Sequence, residues 1–200
     1  AYPEYFACAF AARELGRPVR WMSTRSEAML TDCDGRDHVT VAEAAFDPDM
    51  RLTALRIDCV AGLGAYNGPY IQFIQSELAL KVMPGVYDVQ TTYFRVRGVF
   101  TNTPPMDAYR GAGRPEAIYV IERLMDASAR TLGVDPVDLR RRSFIPPDAF
   151  PYKSAAGELY DTGDFERVLN RAIEEADLAG FAARKAESAK SGKLRGIGLS

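Results

Sequence analysis

Between Pro115 and Gly133 the chain carries its clearest structural signature, an amphipathic helix with Ala117, Ile118, Ile121, Leu124, Met125 and Ser128 on one face. Proline suits the first helical position because the amide it lacks has no partner there, and glycine ends the helix by taking left-handed backbone. A helix with one apolar stripe has to bury that stripe, so the rest of the chain must supply a matching apolar surface.

Strand patterns supply one. His38–Phe46 alternates Val39, Val41 and Ala45 against Thr40 and Glu43, Asp47-Pro-Asp-Met50 reads as a turn, and Leu52–Leu63 resumes the strand, which predicts a hairpin. Val19–Ser23 reads as a further strand, and Val86–Phe100 as a long one through Val89, Thr91, Tyr93, Arg95 and Arg97. Helices are predicted over about 3–15, over Tyr70–Val82 up to the Pro84-Gly85 stop, from Asp135-Pro136 to about Phe144, and over about 164–188 behind Asp164. No fixed repeat occurs, and there is no strict βαβ alternation. The expected fold is therefore α+β, a mixed or antiparallel sheet with helices packed on one face. Residues 1–145 read as one partial subdomain, and 146–200 as a connector, a long helix and the start of the next strand.

Composition narrows the function. The charges sum to −2 in 200 residues, 26% are charged and 47% hydrophobic. This excludes disorder, and the absence of a dense Lys/Arg block argues against nucleic acid as partner. No apolar run approaches the roughly 18 to 20 residues that cross a bilayer. Cys8, Cys33 and Cys59 share no metal-ligand spacing, and each reads as a small buried hydrophobe in a reducing, cytoplasmic setting. His38, the single histidine, reads as structural or surface; His-based zinc sites and a Ser-His-Asp triad lack their key residue.

Chemistry concentrates in Asn102–Glu116. This stretch joins a strand end to the strongest helix and sets Gly111 and Gly113 around Ala112, bracketed by Arg110 and Arg114. Exposed amides at a helix N-terminus beside two guanidiniums form a cradle for an oxyanion, with Arg110 as the fork. The alternative is an Arg-rich turn whose glycines serve only the turn. It is neither a Walker loop nor a dinucleotide fingerprint, because the Gly-Lys-Ser/Thr and the third glycine are missing. Asp32, Asp34 and Asp37 depart from calcium-loop spacing and read as a solvated loop. Glu27, Asp32 and Asp107 are carboxylates that nothing in the sequence brings together, and Asp164 after Asp161-Thr-Gly reads as a helix N-cap.

Ala108-Tyr-Arg-Gly-Ala-Gly-Arg-Pro-Glu-Ala117 resembles the active-site loop of the molybdenum hydroxylases, the xanthine oxidase and aldehyde oxidase family, and most nearly the bacterial carbon monoxide dehydrogenase large chain-like members. Leu15–Trp21, Arg25-Ser-Glu27, Gly35-Arg-Asp37, Gly64-Ala-Tyr66 and Gly157–Phe165 follow in the family's order. The resemblance implies the molybdopterin-binding domain of a large subunit. It further implies a molybdenum-pterin cofactor, expected as molybdopterin cytosine dinucleotide, with 2Fe-2S and FAD on partner subunits or domains of a cytoplasmic bacterial enzyme. Carried over by position, the Arg110 amide faces molybdenum, Gly111, Ala112 and Gly113 line the cofactor pocket, and Leu78 and Ala112 form an apolar substrate wall.

Two departures bear on the substrate. Copper-containing members have a copper-binding cysteine where this chain has Gly111, which disfavours CO oxidation, and Leu78 and Ala112 replace the purine-gripping arginine and phenylalanine. The family's catalytic Gly-Glu lies beyond Ser200, so no catalytic residue is assigned here. The opening Ala1-Tyr2-Pro3-Glu4 and the closing Ile197-Gly-Leu-Ser200 read as an excerpt of a longer polypeptide, inactive by itself. The implied activity is hydroxylation of an aldehyde, N-heterocycle or similar small molecule with oxygen from water. Two alternatives stay open: a free-standing, non-catalytic binding module, and a segment that binds the pterin cofactor alone.

Overall fold

The computed structural model describes residues 3–199. A turn at Asp47–Met50 reverses the chain between β1 (His38–Phe46) and β2 (Leu52–Gly64), which pair antiparallel with a register shift at Ala45/Phe46. Met50 takes left-handed backbone in that turn, and the Asp47 carboxylate accepts from the Arg51 amide at 2.8 Å. From β2 the chain crosses through α3 (Ile71–Phe73), a π turn (Ile74–Leu78) and α4 (Ala79–Val82) into β3 (Thr91–Phe100), which lies parallel to β2. The order β1-β2-β3 makes a mixed sheet, since a parallel neighbour requires a crossover and a hairpin does not.

α5 (Arg114–Leu132) then packs on one face of the sheet, burying Ala117, Ile121, Met125 and Ala129, which sit one helical turn apart. Ile121, Met125 and Ala129 meet Leu52, Leu55, Tyr87, Val89 and Leu139, while Ala117 meets Ile57, Ala79 and Met83. Each large side chain so buried contributes about 1.5–3 kcal/mol. α6 (Pro136–Ser143) follows, capped by the Asp135 carboxylate on the amides of Val137 and Asp138.

A buried ion cluster ties α6 to α5. Arg140 is 3% exposed and donates from Nε to Glu122 Oε2 at 2.8 Å, and from Nη2 to Asp126 Oδ1 at 3.0 Å. Its Nη1 donates to the Pro136 carbonyl at 3.1 Å, and the Tyr87 hydroxyl donates to Glu122 Oε1 at 2.7 Å. Burial, reinforced by the Glu122 charge, pushes the Tyr87 hydroxyl far up, so it stays a proton donor.

Several elements differ from the sequence expectations. Val19–Ser23 is irregular, and the third strand begins at Thr91, because Tyr87 leaves the sheet to bridge Phe144 and fill the core. Val39 and Val41 point outward, 70% and 62% exposed, and the smaller Thr40 and Ala42 lie inward, leaving room for α5. Ile118 is 45% exposed and Ala129 takes its place in the stripe. Of the cysteines, only Cys59 is buried.

The C-terminal part is also more broken than its sequence suggests. A short hairpin, β4 (Tyr152–Lys153) with β5 (Leu159–Tyr160), interrupts the connector. The long helix divides into α7 (Phe165–Glu175) and α8 (Phe181–Lys190) at Asp177, which takes left-handed backbone. Asp164 caps α7 by accepting from the Arg167 amide at 3.0 Å. Residues 193–199 form no strand. Toward the other end lie α1 (Pro3–Leu15) and α2 (Arg25–Thr31), the latter held by a reciprocal Thr24–Glu27 capping box. α1, α7 and α8 bury no residue, and Phe6 and Phe10 on α1 are 69% and 59% exposed.

Replacing Arg140 with Met strands Glu122 in the core beside Tyr87. The change is expected to lower stability by about 3 kcal/mol, read as a lower urea midpoint at unchanged slope.

Candidate functional site

The stretch singled out in the sequence is pinned on both flanks before it reaches α5. After β3, the Thr101 amide donates to the Gly64 carbonyl at 3.0 Å and the Met106 amide to the Leu63 carbonyl at 3.2 Å. On the other side the Asp34 amide donates to the Pro105 carbonyl at 3.1 Å, and the Asp107 amide returns to the Asp34 carbonyl at 2.9 Å. Gly64, at φ +77, lies so close to Pro104 and Pro105 that a Cβ there would overlap their backbone.

Between those anchors and α5 the backbone turns left-handed at three consecutive residues, Gly111 at φ +88, Ala112 at +44 and Gly113 at +87. Alanine pays for that conformation with roughly 1 kcal/mol, so the surroundings must hold it there. Turn bonds do part of this: the Ala112 amide donates to the Tyr109 carbonyl at 2.7 Å, and the Arg114 amide to Gly111 at 3.1 Å. Gly113 is pressed against the π turn. A Cβ on it would overlap the Ile74 carbonyl oxygen and come within 3.2 Å of the Ala79 amide nitrogen. On Gly111, a Cβ would sit 2.5 Å from Pro115 Cγ.

Three amides of this loop, those of Arg110, Gly111 and Gly113, donate to no acceptor among the described residues. Arg110 is exposed, and its guanidinium makes no ion pair among the described residues. The loop also opens the nineteen-residue α5, whose N-terminus adds partial positive charge. Unpaired donors, a free guanidinium and a helix terminus together suit a bound anion.

The Arg110 carbonyl faces the other way. Arg36 Nη2 donates to it at 2.6 Å, the Arg36 guanidinium lies 4.8 Å from the Tyr109 ring centre, and its Nε is 3.7 Å from Glu116 Oε1. In the sequence Arg36 stood only within Gly35-Arg-Asp37, and no local pattern linked it to a loop 74 residues away. Leu78, half-buried, immediately precedes Ala79, whose amide abuts Gly113, so the turn carrying Leu78 adjoins the loop. An open groove of about 660 Å³ lies beside these residues, between β1 and the first half of α5, and is lined by Arg36, His38, Thr40, Glu116 and Tyr119 among others.

His38 is half-buried and donates from Nε2 to the buried Gln75 side chain. No group of three or more His, Cys, Asp or Glu among the described residues is placed to hold a metal ion. Asp34 and Asp107 do come together, through backbone pairing, and flank Cys33. Desolvation first, then the charges of Asp107, Asp32 and Asp34, push the Cys33 thiol up and disfavour the thiolate. Glu27 serves its capping box, and the Thr24 amide and hydroxyl hold its carboxyl below the usual range.

Comparison with known proteins decides the family. A family model described as the molybdopterin cofactor-binding domain matches residues 1–144. The chain belongs to this family. Over 99% of its length it is 35% identical to the carbon monoxide dehydrogenase large chain of Hydrogenophaga pseudoflava. It is 31% identical over its whole length to the nicotine 6-hydroxylase large subunit of Paenarthrobacter nicotinovorans. Among solved structures, quinoline 2-oxidoreductase from Pseudomonas putida 86 superposes with a TM-score of 0.86 at 34% identity, covering 95% of this chain and 24% of that one. A Cu,Mo-CO dehydrogenase follows at 0.82 and 30% identity, covering 96% and 25%. The chain thus spans about a quarter of the length of the relatives it matches, 25% and 24% of the two large subunits. The mixed sheet with helices on one face is the arrangement these large subunits share, and no helix among the described residues is long and apolar enough to cross a membrane.

Two glycines separate conformation from space. Gly133 has φ +69 with nothing within 4 Å of a Cβ, whereas Gly113 combines φ +87 with contact to the π turn. Gly133→Ala should cost about 1 kcal/mol, and Gly113→Ala distinctly more, measured as paired shifts in thermal midpoint.

Proposed function

We propose that this chain forms part of the molybdenum-pterin-binding catalytic subunit of a hydroxylase-type oxidoreductase acting on an aldehyde, an N-heterocycle or a similar small molecule. The observation that carries the reading is the strained 110–113 loop, with its three unpaired amides beside Arg110 at the start of α5. These groups fit an anionic cofactor, because backbone donors fixed by tertiary packing need no reorganisation to stabilise negative charge. The bound cofactor supplies the redox chemistry that introduces oxygen from water into the substrate.

In this reading the Arg110 amide is directed at the metal centre, and Gly111, Ala112 and Gly113 wall the cofactor pocket. Leu78 and Ala112 form the apolar side against which the substrate lies. The proximity of Gly113 to the turn that carries Leu78 supports putting these residues in one pocket. Arg110 offers its guanidinium as a second donor to an oxyanion. The proton-transferring carboxylate is assigned outside this chain, as are 2Fe-2S and FAD groups on partner subunits and the rest of the large subunit. Molybdopterin cytosine dinucleotide is the proposed cofactor form and the bacterial cytoplasm the proposed setting. Residues 1–145 form the partial first subdomain, with 146–200 leading away from it.

Oxidation of CO through a copper-binding cysteine is disfavoured. The position next to Arg110 is Gly111, and at φ +88 with Pro115 Cγ 2.5 Å from a Cβ, the loop leaves no room for a side chain there.

The test uses the full-length large subunit with its partners. Metal analysis should find about one molybdenum per large subunit, and turnover should appear with aldehydes or N-heterocycles and not with CO; metal-free protein sinks the proposal. Arg110→Ala should lower kcat/KM on the order of tenfold to a hundredfold while leaving the thermal midpoint in place, and undiminished turnover contradicts the role given to its side chain.

A further inference from the structure

We infer that Arg36 is a positioning residue that sets the direction of the loop's Gly111 amide by gripping the Arg110 carbonyl. The inference rests on the cofactor reading above and extends it to a residue outside the loop.

Peptide planarity is the first step. In a trans peptide the C=O and the following N–H point in opposite directions, so the group that holds the Arg110 carbonyl also aims the Gly111 amide. Arg36 Nη2 holds that carbonyl at 2.6 Å, a charge-assisted bond. The Gly111 amide, unpaired among the described residues, is thereby turned away from Arg36 toward the side where an anion can meet it.

The second step is that Arg36 spans the loop. Besides Arg110 it stacks 4.8 Å from the Tyr109 ring centre before the loop and approaches Glu116 Oε1 at 3.7 Å in the first turn of α5. One guanidinium therefore contacts both ends of the left-handed stretch 111–113. A lysine reaches one acceptor as a point charge and cannot reproduce the planar fork and the stack together.

The third step is the backbone of Arg36 itself, which lies at φ +68. A non-glycine residue in that region is held by its surroundings. Here the restraint is visible: Asp34 is paired to the 105–107 segment on both sides, and a Cβ on Gly35 would sit 3.0 Å from Tyr109 Cβ. The 34–36 segment is thus built against the loop, and its strained residue delivers the guanidinium to the Arg110 carbonyl.

The experiment compares Arg36→Met and Arg36→Lys with the parent in the full-length large subunit and its partners. The readouts are molybdenum per subunit, the Mo(V) paramagnetic resonance spectrum, and the thermal midpoint. The Arg36 side chain is 40% exposed, so Met opens no buried cavity. Expected is a graded loss of molybdenum, several-fold in Met and partial in Lys, with a shifted Mo(V) spectrum in both and thermal midpoints close to the parent. Met with parental metal content and spectrum overturns the inference, as does Lys falling as low as Met. If Met yields no folded protein, Lys decides alone: a shifted spectrum supports the inference and a parental one overturns it. Absence of molybdenum from the parent protein refutes the cofactor reading itself, a result distinct from any difference among the variants.

Discussion

Burial of the α5 stripe is the interaction on which the rest of the structure depends. Ala117, Ile121, Met125 and Ala129 lie one turn apart, the small inward residues of β1 leave room for the helix, and Leu52, Leu55 and Ile57 of β2 pack against it. With the axis of α5 set by that contact, its first turn stands at the edge of the sheet where β2 and β3 end. The loop that joins β3 to that turn enters α5 through three consecutive left-handed residues. The strain at Ala112 is tolerated because apolar burial of the helix outweighs it.

The buried Arg140 cluster refines this contact. Charge in a core costs several kcal/mol of desolvation unless every donor finds an acceptor, and the guanidinium meets Glu122, Asp126 and the Pro136 carbonyl at once. What such a cluster adds is directional: one guanidinium on α6 is tied to two carboxylates one turn apart on α5. At the start of α5, Arg36 does comparable work at the loop, again through a guanidinium that contacts several groups together. Both arginines tie segments together, and neither could be told from a solvated one by its neighbours in the chain.

Much of the fold was legible. The β1–β2 hairpin, α1, α5 and α6 follow from periodicity and capping residues, and Asp135 and Asp164 cap the helices they precede. α2 went unread although Thr24 and Glu27 have capping-box spacing, because its seven residues carry no apolar stripe. The outward turn of Val39 and Val41 was illegible for another reason: alternation defines two faces of a strand without saying which one a helix covers. The 110–113 loop was recognisable from its glycines and arginines, and its backbone takes left-handed conformations at 111 and 113 that favour glycine.

What the sequence determined by itself is therefore local: where helices and strands begin and end, which residues cap them, and that a glycine-bearing turn flanked by arginines leads into the strongest helix. Tertiary structure alone decided that β3 lies parallel to β2, that Gly113 rests on the π turn, and that Arg36 reaches the Arg110 carbonyl across 74 residues. The physical reason is range. Capping and periodicity act within a turn or two of chain, whereas the orientation of a single peptide in this loop depends on a side chain delivered by another segment, and that contact exists only once the sheet and α5 have packed.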